Sequence, residues 1–215
     1  MPTDRLSLYN GALRHIGSRE LASLTENRES RRVLDGVWSA SLIRSLLEAG
    51  LWNFATRTVM LEYTGSIAPG FGYQRAYQQP EDFVRTVAVG SEGTFNNPLL
   101  QYADENGYWY ADLDNVFVKY VSDADDYGSD LSRWPESFTQ WAEVFIAWKV
   151  AKRLTGSDNT AMDMLAIQQK LLVTAKSRDA MADATVFLPP GSWATSRGSR
   201  MNGRRDLGNR GRLIG

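Results

Sequence analysis

Near the start of the chain, Leu6, Tyr9, Leu13 and Ile16 fall at i, i+3, i+7 and i+10. That stripe predicts a first helix, with Thr3 and Asp4 as N-cap candidates and Gly17 as its stop. After the polar stretch SRELASLTEN, a second helix is expected from Glu26 to Ala49, with Leu34, Trp38, Leu42 and Leu46 on one line and Gly50 as its C-cap. The period then changes. Val59, Leu61 and Tyr63 alternate with Thr58, Met60 and Glu62, the mark of a half-buried strand. Residues 65–80 read as a Gly/Pro-rich loop, and VRTVAVG (84–90) as a strand. Residues 101–104 and 108–111 flank Glu105-Asn106-Gly107, a hairpin signal because Asn-Gly accepts positive φ. A strong strand follows at 116–121.

Helical spacing returns with Phe138, Trp141, Ala142, Phe145 and Trp148, with Pro135 expected at the first helical position and Gly156 at the end. A fourth helix is expected over 159–182, and Pro189-Pro190 breaks it. The predicted fold class is α+β: an antiparallel bundle of about four helices, with a small antiparallel β-region inserted between helices 2 and 3. The expected divisions are 1–56 and 130–188 for the two parts of the bundle, 57–129 for the β-region, and 189–215 for an extended basic C-terminal arm.

Charge sharpens this division. The net charge is only −1 over 215 residues, but the last 19 residues hold six arginines and one acid. Residues 1–196 are left with 18 basic and 24 acidic residues, so an acidic body carries a basic tail. The absence of cysteine excludes disulfides, zinc–thiolate sites and thiol nucleophiles, and suits synthesis in a reducing cytosol. No apolar run approaches a membrane span, so no membrane partner is expected.

Candidate chemistry is sparse. His15 is the only histidine and sits beside the apolar Leu13 and Ile16. In SDADDYGSD, Asp123, Asp125 and Gly128 match places one, three and six of a calcium loop, but Tyr127 and Trp134 occupy places five and twelve. That reads as a solvated acidic turn. Glu62, Asp112 and Asp114 have no context that marks a general acid or base. GFG and GSEG are loop glycines rather than a phosphate fingerprint. No enzymatic activity, metal or cofactor is expected. Among the aromatics, Trp38, Trp141 and Trp148 lie on helical stripes and read as core. Tyr73, Tyr77, Tyr108 and Trp109 sit in or beside loops and are candidates for an exposed contact surface.

A resemblance then enters on NGALRHIGSRELASLTEN, on RRVLDGVWSASLIRSLLEAGLWNFA, and on VFVKYVSD leading into LSRWPESFTQWAEVFIAWKVAKRLTG. In this order of landmarks, over most of residues 5–185, the chain resembles the tail tubular protein A family, head-to-tail adaptors of short-tailed bacteriophages. GSWATSR (191–197) is similar to the hinge that some head-completion adaptors place before a C-terminal arm. The resemblance implies a virion protein assembled in the host cytoplasm into a homo-oligomeric ring of twelve copies. It implies as partners the portal protein, a tail nozzle of tail tubular protein B type, and genomic DNA that passes through the channel without sequence-specific binding. The four loop aromatics would then face the nozzle.

Residues 189–215 number 27 and would reach up to about 90 Å at roughly 3.3 Å each. Ordering them costs about 1–2 kcal/mol per residue. Trp193, Arg197, Arg200, Arg204, Arg205, Arg210, Arg212, Leu213 and Ile214 are the residues expected to offset that cost by clamping the portal or a neighbouring subunit. Two alternatives stay open: a nucleic-acid binder that uses the Arg/Gly tail, and a tail-associated peptidoglycan hydrolase.

Overall fold

The computed structural model describes residues 3–182 apart from 68, 70, 96 and 97; the expected arm lies outside the described residues. The first helix, α1 (Arg5–His15), begins with a capping box. Asp4 Oδ1 accepts from the Ser7 amide at 2.7 Å, and Ser7 Oγ accepts from the Asp4 amide at 3.0 Å. It ends before Gly17, whose φ of +68° a side chain would resist.

The single helix expected over 26–49 is two: α2 (Glu29–Ser39) and α3 (Leu42–Glu48). Ser41 between them takes φ 60°, ψ 39°, a left-handed conformation that ends one helix and starts the next. Just before the break, Ser39 Oγ donates to the carbonyl oxygens of Asp35 and Gly36, a local alternative to helix continuation. The turn lets Leu34, Leu42, Leu46 and Leu47 all reach the core. Gly50 is no left-handed cap. A Cβ there would lie 2.9 Å from the Trp52 indole, so the glycine makes room for that ring.

Six strands follow among the described residues: β1 (Thr56–Glu62), β2 (Arg75–Gln78), β3 (Phe83–Gly90), β4 (Ala103–Glu105), β5 (Tyr108–Ala111) and β6 (Asn115–Ser122). They form two antiparallel three-stranded sheets, ordered β1-β6-β3 and β2-β5-β4. The hairpin is where Asn-Gly placed it, with Asn106 and Gly107 at φ 52° and 81°. The expected loop over 65–80 contains β2, whose pattern is only four residues long. It pairs with β5 through Arg75↔Ala111 and Gln78↔Tyr108.

Two long helices follow, α4 (Glu136–Thr155) and α5 (Asp158–Ala182), so the described residues hold five helices where about four were expected. Pro135 is the N-cap rather than the first helical residue, and Gly156 closes α4 at φ 67°. The short turn makes α4 and α5 an antiparallel hairpin: Lys152 pairs with Asp158 near it, and Trp141 Nε1 donates to Gln168 farther along. α1, α2 and α5 all pack on α4. The helical core is aromatic at one end. Trp52 stacks on Trp141 at 5.7 Å, and Phe138 meets Trp52 and Trp134 edge-on at 4.7 Å each. A second core of Tyr77, Val89, Trp109, Val116, Val118 and Tyr120 belongs to the sheets. Within the helical region Asn53, just before β1, is tied to α5, donating its amide to the Asp179 carboxylate and its side chain to the Asp179 carbonyl.

Candidate functional site

Three places in the described residues have features that packing alone does not explain. The first is the outer side of α5. Met164, Gln168 and Ala175 turn inward to α4, as a helical stripe should. The opposite side is mixed: exposed Gln169, Lys170, Lys176 and Ser177 share it with exposed apolar residues. Met162 is 67% exposed, Val173 69% and Met181 80%, and exposed Ala166 and Ala180 lie on the same side. From Met162 to Met181 the apolar set spans about 28 Å at 1.5 Å per residue.

The second place is the β-region, where exposed apolar side chains gather in loops and on a strand. Leu100 is 91% exposed, and Met60, Tyr63 and Phe71 are close to half exposed. The aromatics expected at an exposed contact surface divide here. Tyr73 and Tyr108 are half-buried. Tyr77 and Trp109 are a correction: they sit on paired strands and are fully buried. Trp109 packs edge-on against Phe83 at 5.1 Å, and its indole N–H donates to Thr86 at 2.9 Å. Period-2 alternation in so short a strand is too brief to separate a core aromatic from a loop aromatic. Phe71 and Leu100 are not among the expected contact residues, although large apolar side chains inside the polar, glycine- and proline-containing stretches GFGY and NNPLLQ are a readable signal. Trp193, the arginines Arg197, Arg200, Arg204, Arg205, Arg210 and Arg212, and Leu213 and Ile214 lie outside the described residues.

The third place is a cleft of about 540 Å³ lined by Gly11, Arg14 and His15 of α1, Glu136, Gln140 and Glu143 of α4, and Leu171 of α5. Gly11 shapes it. A Cβ at that position would lie 2.2 Å from the Glu143 carboxyl carbon, so the missing side chain is what lets the carboxylate lie against α1. Burial pushes the Glu143 carboxyl above its ordinary value, against the pull of Arg14 and with the help of Glu136. Burial, assisted by Arg14, pushes His15 below its ordinary value. His15 Nε2 stands 3.7 Å from Glu143 Oε2, beyond hydrogen-bond range.

Asp82, between β2 and β3, is the contrasting carboxylate. It accepts from Arg57 at 2.8 Å, Ser122 Oγ at 2.5 Å and Tyr120 Oη at 3.1 Å. Burial alone would raise its pKa, but the bonds from Ser122, Arg57 and Tyr120 outweigh burial and hold it below the ordinary value. The acidic turn also has structural partners. Asp123 pairs with Arg44, and Asp130 caps the short 3-10 turn Leu131–Arg133 through the Ser132 amide. Among the described residues no group of three or more His, Cys, Asp or Glu side chains could hold a metal ion, and no helix is long and apolar enough to cross a membrane. No family model matches the chain, and no curated protein matches it.

Proposed function

We propose that this chain is a structural subunit of the head-to-tail adaptor of a short-tailed phage, one of about twelve copies in a ring between portal and tail nozzle. The observation that carries this reading is the set of exposed apolar side chains on the outer side of α5, which stand among polar ones. Val173, Met162 and Met181 would each contribute about 1.5–3 kcal/mol if fully buried. Side chains of this size exposed on one side of a helix suit a neighbouring subunit better than they suit water. The order of elements supports the same reading, with a β-region set between helices and carrying exposed apolar residues of its own.

In this reading α5 makes the lateral contact between copies. Tyr73 and Tyr108, with Phe71 and Leu100, make the nozzle contact. The acidic body suits a wall past which DNA slides, since fixed positive charges would hold phosphates. The arm ending in Leu213-Ile214 reaches the portal or the next subunit.

Electron microscopy of the purified chain with and without portal rings tests this. Rings are expected on portal. The double variant M162D/V173D should keep its helical circular dichroism and lose the rings, because a carboxylate cannot be buried unpaired at that contact. Deletion of 197–215 should leave a folded subunit that fails to join portal. Rings formed equally well by the α5 variant, or a complete virion tail without this polypeptide, would overturn the reading.

A further inference from the structure

The cleft between α1 and α4 holds a carboxylate for which the rest of the described chain supplies no donor. Glu143 is 19% exposed, and among the described residues its oxygens accept no hydrogen bond. Among the described residues the one basic group within 4 Å of it is His15 at 3.7 Å; Arg14, whose charge also acts on it, pairs with Glu20 at 3.4 Å. A glycine inside a helix costs about 1 kcal/mol relative to alanine, and Gly11 carries that cost at the point where the Glu143 carboxylate needs room. Above it, Gln140 donates its side-chain amide to Glu136 at 2.9 Å, which leaves the Gln140 carbonyl oxygen and the second Glu136 oxygen as acceptors. Leu171 supplies an apolar wall. A deep acceptor, further acceptors nearer the mouth and an apolar side together fit a long side chain that carries several donors at its end.

We propose that this cleft is a receptor for an arginine side chain, and that its occupant is the glycine-spaced arginine segment, residues 197–212, of a second copy of this chain. A guanidinium presents five donors in a planar fork, enough to take Glu143 in a bidentate pair and still reach the outer oxygens. Its three methylenes would lie along Leu171. Charge favours this occupant: residues 1–182 hold 18 basic and 23 acidic residues, and 197–215 hold six arginines and one aspartate. The glycines beside those arginines let a backbone approach closely. The inference rests on the reading that copies stand side by side, and it names what one copy takes from the next. Burial raises the Glu143 carboxyl, with Arg14 and His15 facing it from α1 and Glu136 from its own helix, so binding should weaken on acidification sooner than an exposed glutamate would allow.

The test is fluorescence anisotropy of a labelled peptide of residues 195–215 titrated with the full-length protein at about 0.15 M salt, where unselective attraction is largely screened. Saturable binding is expected. E143Q, which keeps the shape and removes the charge, should weaken it at least about tenfold. G11A should weaken it comparably, because the new methyl displaces the carboxylate, while circular dichroism reports an intact fold. A peptide with every arginine replaced by lysine should also bind about tenfold less tightly, since an ammonium cannot make the fork. No binding by the wild type, equal binding by E143Q, or equal binding of the lysine peptide would each overturn the proposal. The assay uses neither portal nor ring. Its failure would leave rings on portal intact, and rings failing to form while the peptide binds would remove the adaptor reading and keep the site.

Discussion

The sheet around Asp82 and the helical cleft around Glu143 each cover a carboxylate, and they treat it in opposite ways. Asp82 takes hydrogen bonds from three side chains on β1 and β6, and its pKa falls. Glu143 takes none among the described residues, and its pKa rises. Both are mostly withdrawn from water, with 16% and 19% of the side chain exposed, and burial pushes both upward. The supply of donors reverses the direction for Asp82 alone. The β-region spends Arg57, Tyr120 and Ser122 on its carboxylate and gains a clamp across β1, β6 and the start of β3. The helical region withholds donors, and the cost of that is offset only if a donor arrives from outside.

The largest expected effect breaks the sheet side of this contrast. D82A would leave Tyr120 and Ser122, both buried, without their acceptor and would free Arg57. Hydrogen bonds to a charged group contribute about 1.5–3 kcal/mol each, and they are not additive. A loss of roughly 2–4 kcal/mol is expected, read as a lower urea midpoint with an unchanged slope. Because the Asp82 pKa is lower in the fold than in the unfolded chain, its contribution is fully present above the unfolded value. It disappears as pH falls through the folded one. The stability difference between wild type and D82A should therefore shrink in acid. A difference that stays constant from neutral pH down to strong acid would mean that Asp82 acts by packing rather than by charge.

How much of this contrast could be read along the chain follows from what each part depends on. Helical and strand periods, the Asn106-Gly107 hairpin and the Gly156 stop depend on near neighbours and were legible. The break at Ser41 was not, because Leu34, Trp38, Leu42 and Leu46 keep helical spacing straight through it. Tertiary packing, not period, decides that α2 and α3 part. β2 was hidden by the glycines and proline on either side of four residues. The cleft was the least legible. Gly11 reads as an ordinary helix residue and Glu143 as an exposed charge on a helix, and only the packing of α1 on α4 reveals that the one exists for the other. The arginine tail was plain from composition, and a candidate receptor for it was not.

A smaller effect of opposite sign should come from the helical side. The Glu143 carboxyl is raised in the fold, so between the unfolded and the folded pKa the folded chain holds more protons, and stability falls as pH rises through that window. At neutral pH the charged group is a net cost to the isolated subunit. E143Q removes that cost and should stabilise the isolated protein by roughly 0.5–1 kcal/mol, within the range that single stabilising substitutions reach. The same variant is expected to lose affinity for the arginine peptide. A substitution that gains stability and loses binding marks a side chain kept for contact rather than for folding. If E143Q instead destabilised the chain as D82A does, the two carboxylates would be equivalent and the contrast would fail.

The smallest effect sharpens the assignment within the cleft by removing its histidine. His15 has a folded pKa below its ordinary value, because burial and Arg14 disfavour the imidazolium. The unfolded chain therefore takes up the proton first on acidification, and stability is lost as pH falls through the unfolded value of about 6.5. H15Q should abolish that loss near pH 6 and change stability at neutral pH by no more than about 0.5 kcal/mol, as expected for a side chain 40% exposed. At neutral pH it should also leave affinity for the arginine peptide within about threefold of wild type. A neutral imidazole at 3.7 Å neither pairs with Glu143 nor competes with an incoming guanidinium for it. A tenfold loss of peptide binding in H15Q would instead make the imidazole part of the recognition surface, and the carboxylate would no longer account for the site without it.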